Sequence, residues 1–275
     1  MAADFGITRK LGYFTTDSSA VNDSAVQYIA RKCANIGVRF DPVQRHIRCF
    51  AHIVSEVGKA MLWGDYSVVA ANDHLDNDLD PEARIRLLQD WRKAGPLGRL
   101  HNCIRFILKS PQRREQFEEK ARTHSLEGVA LDLLIGANTC WTADLAALTR
   151  AILLRDPLDE YLAAEMSREN EREEASLALD LLSPTDWGVL KSMVKLLDPF
   201  KKWMLLLQKK GAAARLTDVV PAYEELLSHV DTQMGRHSGP GWPAEILNSL
   251  KTASTVLSKY VCSALLFFSI LYLGY

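Results

Sequence analysis

Lys10-Leu11-Gly12-Tyr13-Phe14-Thr15-Thr16-Asp17-Ser18-Ser19-Ala20-Val21-Asn22-Asp23 is the stretch on which the fold turns. A short aromatic and β-branched run stops at a carboxylate, and a turn of small residues follows. An Asn-Asp pair then opens a helical pattern. Such a run predicts a strand over Lys10 to Thr16 that delivers Asp17 from its carboxyl end, where open α/β sheets place their ligands. A helix follows over Asn22 to Ala34, with Asn22 or Asp23 as its cap and Val21, Ala25, Tyr28 and Ile29 at helical spacing.

Working outward, Gly37 ends this unit and Arg39-Phe40-Asp41-Pro42 makes a turn. Arg45 to Phe50 reads as a second short strand, running into a helix from about Ala51 to Trp63 with Ile53, Val57, Ala60 and Met61 inward. Asn72 to Asp80 is an acidic linker that lacks the Gly and the final Glu of a calcium loop. From Pro81 onward the pattern is helical almost throughout, over roughly 82–94, 97–109, 112–123, 141–154, 157–180, 185–197, 199–209, 216–230 and 243–259. Most prolines sit near helix starts, and Pro221 is expected to kink its helix. His237 to Gly241 is a loop. The fold class is therefore α+β and mostly helical, one sheet edge carrying a helical bulk.

The 275 residues hold ample material for a core, at 48% hydrophobic and 24% charged. A net charge of −1 excludes a globally basic nucleic-acid binder but permits a local basic face. Five scattered cysteines with no CxxC pair argue against a disulfide framework or a self-contained zinc module, and point to a reducing compartment. The uncharged run Val261 to Tyr275 would span roughly 22 Å as a helix, short of a hydrocarbon core of about 30 Å. A membrane tail anchor through 261–275 is the alternative for that segment.

Four groups of residues could carry chemistry. Asp17 could hold a divalent metal ion, or simply cap its turn. Arg45, Arg48, Cys49 and His52 could grip a phosphate backbone, or bind metal through Cys49 and His52. The plainer alternative is a helix start with a buried Cys. The basic band Arg92, Lys93, Arg99, Arg105, Lys109, Arg113, Arg114, Lys120 and Arg122 could neutralise phosphates, or be a solvated helix face. Trp141, after Cys140, could stack on an unpaired base, or belong to the core.

Taken together, the order and spacing of these groups resemble transposases of the hAT (hobo and Activator) superfamily, particularly the fungal forms. Asp17-Ser18-Ser19-Ala20-Val21-Asn22-Asp23 matches the family's Asp-Asn-Ala-x-x-Asn-Asp, and Arg45, Arg48, Cys49 and His52 match its Arg-x-x-Arg-Cys-x-x-His. Leu100-His101-Asn102, Ser110 to Phe117, Thr139-Cys140-Trp141, Asp186-Trp187 and Leu197-Asp198-Pro199-Phe200 follow in the family's order. The likeness runs over about residues 5 to 260. It implies an RNase H-like domain interrupted by a helical insertion, with boundaries at 1–70 and 71–260 and a hydrophobic tail at 261–275.

The resemblance makes Asp17 the second carboxylate of a catalytic triad that binds Mg²⁺ or Mn²⁺. It places Arg45, Arg48, Cys49, His52, Arg113, Arg114 and Trp141 near transposon-end DNA, in the nucleus. Departures set the expectation for activity. Ser18 stands for Asn, Ser55-Glu56 for Asn-Leu and Cys140 for Arg. Neither the first catalytic Asp, the last catalytic Glu nor the dimerisation segment has a counterpart here. One carboxylate of three cannot hold two metal ions. The expectation is a truncated, inactive hAT-like remnant with residual nucleic-acid binding. The alternatives are a domesticated protein- or DNA-interaction module and a tail-anchored membrane protein.

Overall fold

The computed structural model describes residues 6–64, 80–125, 131–136, 140–168, 177–208, 218–237 and 242–260. The acidic stretch 72–79, Thr139 and the tail 261–275 lie outside them. The elements are β1 (Phe14–Thr16), α1 (Ala20–Ala34), β2 (His46–Arg48), α2 (Phe50–Trp63), α3 (Pro81–Lys93), α4 (Gly95–Leu108), α5 (Pro111–Thr123), α6 (Trp141–Leu153), α7 (Arg155–Arg168), α8 (Pro184–Gln208), α9 (Val219–Arg236) and α10 (Ala244–Lys259). The fold is mostly helical with one small parallel sheet. No described helix is long and apolar enough to cross a membrane.

The chain divides into two compact units. The first comprises Met1–Val57, Lys202–Thr232 and Ser254–Tyr275. Its sheet pairs β1 with β2 in parallel, with Phe14 opposite His46, Thr15 opposite Ile47 and Thr16 opposite Arg48. The strand is shorter than its sequence suggests, because Thr8–Lys10 coils into a 3₁₀ turn and pairing begins only at Phe14. Val26, Cys33 and Phe40 form a core into which Leu11, Phe14, Ile29, Ala30 and Val38 pack, and the Phe14 and Phe40 rings meet edge to face at 5.7 Å. Gly37, at φ +68°, takes the left-handed conformation that ends α1. In the same unit the Phe50 and Tyr223 rings meet at 6.1 Å, and the Tyr223 hydroxyl donates to the Leu257 carbonyl.

The second unit comprises Gly58–Lys201 and Gln233–Ala253. Here α3 packs on α4, α4 on α5, and α5 and α6 on α7, while a 3₁₀ turn at Leu177–Asp180 lies against α4 and α7. Trp91, Trp141 and Trp187 are its largest fully buried side chains. Polar groups close it. Asp180 is buried and receives Nε and Nη2 of Arg92 at 2.9 and 2.6 Å and Nδ2 of Asn102 at 2.8 Å. Arg99 reaches both Asp186 and the Leu181 carbonyl. Asp186 in turn accepts from the amide and hydroxyl of Ser183, whose hydroxyl accepts from the Asp186 amide, a reciprocal cap that starts α8.

Two prolines behave differently from expectation. The helices read as 185–197 and 199–209 are a single helix, α8, with Pro199 inside it. Leu196, Leu197 and Phe200 around the proline are buried, so packing offsets a cost of about 3 kcal/mol. Pro221 lies in the first turn of α9, where a proline removes no intrahelical hydrogen bond.

Gly58 of α2 lies directly against an indole ring. A Cβ placed there would lie 2.4 Å from the Trp141 indole. Gly58→Val is therefore expected to displace that ring and destabilise the protein by more than about 2 kcal/mol, read as a lower midpoint in urea unfolding. Gly188→Ala, which meets no atom within 4 Å, should leave the midpoint at or slightly above wild type.

Candidate functional site

The residues singled out at the start of the chain converge at the carboxyl end of the sheet. The Cys49 amide donates to the Thr16 carbonyl at 2.7 Å, so β2 hands directly into α2, and the Cys49 carbonyl accepts from His52 and Ile53. Both helices thus begin beside the strand ends. The helix after β1 starts two residues earlier than its Asn-Asp pair suggests, because Ser19 is the cap and accepts from the Asn22 amide.

Asp17 sits at this junction as an acceptor for its own turn. Its Oδ1 takes the Ser19 amide at 2.9 Å and the Asn22 side-chain amide at 2.7 Å. The Ser19 N–H and then the Asn22 and Ser19 side chains hold its carboxyl below the usual range. Arg48 donates to the Asp17 carbonyl at 3.0 Å and pairs with Asp23 of α1 at 2.6 Å. The Thr16 hydroxyl donates to the Asp17 carbonyl, so its oxygen accepts from His46 Nε2 at 2.7 Å. That leaves His46 Nδ1 facing Asp23 at 3.7 Å. Burial first, then Arg48, lowers the His46 pKa, so the ring is neutral near pH 7.

His52 faces Glu56 rather than Cys49. Its Nε2 is 3.1 Å from Glu56 Oε1, one helical turn on. Glu56 is the hub of the site. Oε1 also accepts from the Ser18 hydroxyl at 2.5 Å, and Oε2 accepts from the Tyr260 hydroxyl at 2.6 Å. Burial raises the Glu56 pKa, but the Ser18 and Tyr260 hydroxyls and the His52 and Lys259 charges outweigh it, and the pKa is lowered. Glu56 stands at a position where the sequence departs from the motif it otherwise resembles. The His52–Glu56 spacing could have flagged it. Nothing local could flag Tyr260, which lies 204 residues from Glu56.

A two-metal centre needs several carboxylates free to bridge both ions. Among the described residues no group of three or more His, Cys, Asp or Glu could hold a metal ion. Asp17 Oδ1, Glu56 and Asp23 are already engaged by protein donors. This donor set does not fit a two-metal Mg²⁺ or Mn²⁺ centre.

The basic residues are tied down as well. Arg45 donates to the Leu11 carbonyl at 3.0 Å and lies over the Phe40 ring. In the second unit, Arg113 donates to the Phe106 carbonyl and stacks on the Phe106 ring at 3.6 Å. Arg114, more exposed, pairs with Glu118 at 2.9 Å and Asp132 at 3.2 Å. Trp141 is not presented to a base. It is 1% exposed, packed over Gly58, and its indole N–H has no hydrogen-bond partner among the described residues. Comparison with protein-family models, with characterised proteins and with solved structures finds no match to this chain.

The Glu56 hub makes a pH prediction. A carboxyl with a lowered folded pKa contributes stability that is present above its ordinary value of 4.5 and lost as pH falls through the folded value. Glu56→Ala should cost about 1–3 kcal/mol at pH 7 through lost charge-assisted hydrogen bonds. Glu56→Gln should flatten the acid limb of a plot of urea midpoint against pH below 4.5, relative to wild type.

Proposed function

We propose that this chain is a hAT-like, transposase-derived protein that binds nucleic acid and has no metal-dependent nuclease activity of its own. One observation carries the reading. Two parallel strands end at Asp17 and Cys49 and each leads into a helix, in the strand–Asp–helix–strand–Cys–helix order that the resemblance implies for an RNase H-like edge. The charge distribution supports a polyanionic partner. The first 48 residues carry seven Lys and Arg against four Asp, and although Arg45 and Arg48 are engaged by protein acceptors, Arg31 and Lys32 of α1 are exposed and form no ion pair with a described residue. On this reading the protein acts in the nucleus, and Asp17 is a structural cap inherited with the motif.

The engagement of Arg45, Arg48, Arg113 and Arg114 by protein acceptors favours a second reading, in which the helical surface binds another protein. Labelled single- and double-stranded oligonucleotides of mixed sequence separate the two. Fluorescence anisotropy at 50 mM salt should show micromolar binding that weakens steeply by 200 mM. No nicking or strand joining should follow addition of Mg²⁺ or Mn²⁺. Cleavage abolished by Asp17→Asn would restore a metal-dependent enzyme. Absence of binding to either oligonucleotide at low salt would leave the protein-interaction reading.

A further inference from the structure

α1 is apolar on two sides. Val26, Cys33, Ile29 and Ala30 face the core of the first unit. On the opposite side Val21 is 78% exposed and Tyr28 is 54% exposed, with Ser24, Ala25, Arg31, Lys32 and Asn35 exposed as well. At 3.6 residues per turn these seven positions fall within roughly 60° of Tyr28. They make one stripe along the helix. Val21, Ala25 and Tyr28, which the sequence marks only as helically spaced, all lie on this exposed side.

The stripe has a definite chemistry. The Lys32 ammonium lies 5.3 Å from the centre of the Tyr28 ring. Neither Arg31 nor Lys32 forms an ion pair with a described residue. The one acid of α1, Asp23, is off the stripe and pairs with Arg48. An exposed aromatic ring with two cations beside it and small polar residues between is the combination that stacks a base and neutralises its phosphates. The stripe, about 21 Å long and 10 Å wide, offers about 200 Å², against the roughly 800 Å² per partner that a stable protein interface buries. Its apolar part is limited to Val21, Ala25 and Tyr28, too little for a helix lying in a membrane interface.

We propose that the outer face of α1, centred on Tyr28 and flanked by Arg31 and Lys32, is a binding surface for single-stranded nucleic acid. The proposal rests on the nucleic-acid reading above and assigns its site. It moves the contact away from Trp141, which is buried, and from Arg113 and Arg114, which are engaged. Tyr28 supplies the stacking platform. Arg31 and Lys32 supply phosphate contacts at the last turn of the helix, and a short run of nucleotides would cover the stripe.

The test is an anisotropy titration of a labelled 15-nucleotide oligo-dT with the full chain. Tyr28→Ala should weaken binding about tenfold, and Tyr28→Phe should leave it within about twofold. Arg31→Ala/Lys32→Ala should lower the salt slope by about 1.4, whereas Arg113→Ala/Arg114→Ala should leave it unchanged. Unaltered thermal unfolding of each variant shows that the fold is intact, as expected at exposed positions. Wild-type binding that Tyr28→Ala and Arg31→Ala/Lys32→Ala leave untouched would overturn this site while the nucleic-acid reading stands. Wild type that fails to bind oligo-dT but binds duplex DNA would overturn it in the same way. No binding to either nucleic acid, or Tyr28-dependent binding to vesicles of one-third phosphatidylserine in its place, would overturn both.

Discussion

Arg48 carries the constraint on which the first unit depends. Two parallel strands of three residues cannot hold each other by ladder hydrogen bonds alone, since parallel sheets normally gain stability from several strands covered on both faces. Here the missing rigidity comes from side chains. The Arg48 guanidinium joins the end of β1, through the Asp17 carbonyl, to the start of α1, through Asp23. His46 pins Thr16 from the neighbouring strand, and Glu56 gathers Ser18, His52 and Tyr260 at the same end. Hydrogen bonds to ionised groups are about twice as strong as neutral ones, which suits them to a sheet this small.

The second unit uses the same device in a drier setting. A carboxylate as buried as Asp180 would be very costly without partners, and it has Arg92 and Asn102 on its oxygens. Arg99 does the same for Asp186 across the turn that starts α8. These contacts join α3 and α4 to a segment 88 and 87 residues later in the chain. They are closure contacts between helices, so the two arginines cannot be counted as surface charge.

This distinction decides what was legible in the sequence. Helical periodicity and prolines near helix starts are local signals, and they located α2 through α6 and α10 to within a few residues, whereas the helix read as 157–180 is described only as α7 at Arg155–Arg168 and a 3₁₀ turn at Leu177–Asp180, with 169–176 outside the described residues. Asp80 and Ser110 cap α3 and α5, each followed by proline at the first helical position. The turn from β1 into α1 and the handover from β2 into α2 were legible for the same reason. Signals that depend on the partner were not. Spacing marks Val21, Ala25 and Tyr28 as one apolar face but is silent on whether anything covers it. Val26 and Cys33, equally periodic, are the pair the core takes. Pro199 looked like a boundary because its cost is local, whereas the burial of Leu197 and Phe200 that offsets it is tertiary.

The basic band shows why charge counted along a sequence overstates its reach toward phosphate. A guanidinium has five donors in a planar fork, and a folded chain offers carbonyls and carboxylates that fit it at no cost in association entropy. Arg45, Arg48, Arg92, Arg99 and Arg113 each find such an acceptor within their own unit. A cation in that position could reach a phosphate only by breaking its contact first. Asp17 follows the same logic with the sign reversed, its Oδ1 taken by the turn it caps. What a chain can offer a charged partner is therefore the charge its own fold leaves over, and on α1 that remainder is Arg31 and Lys32 beside an exposed tyrosine.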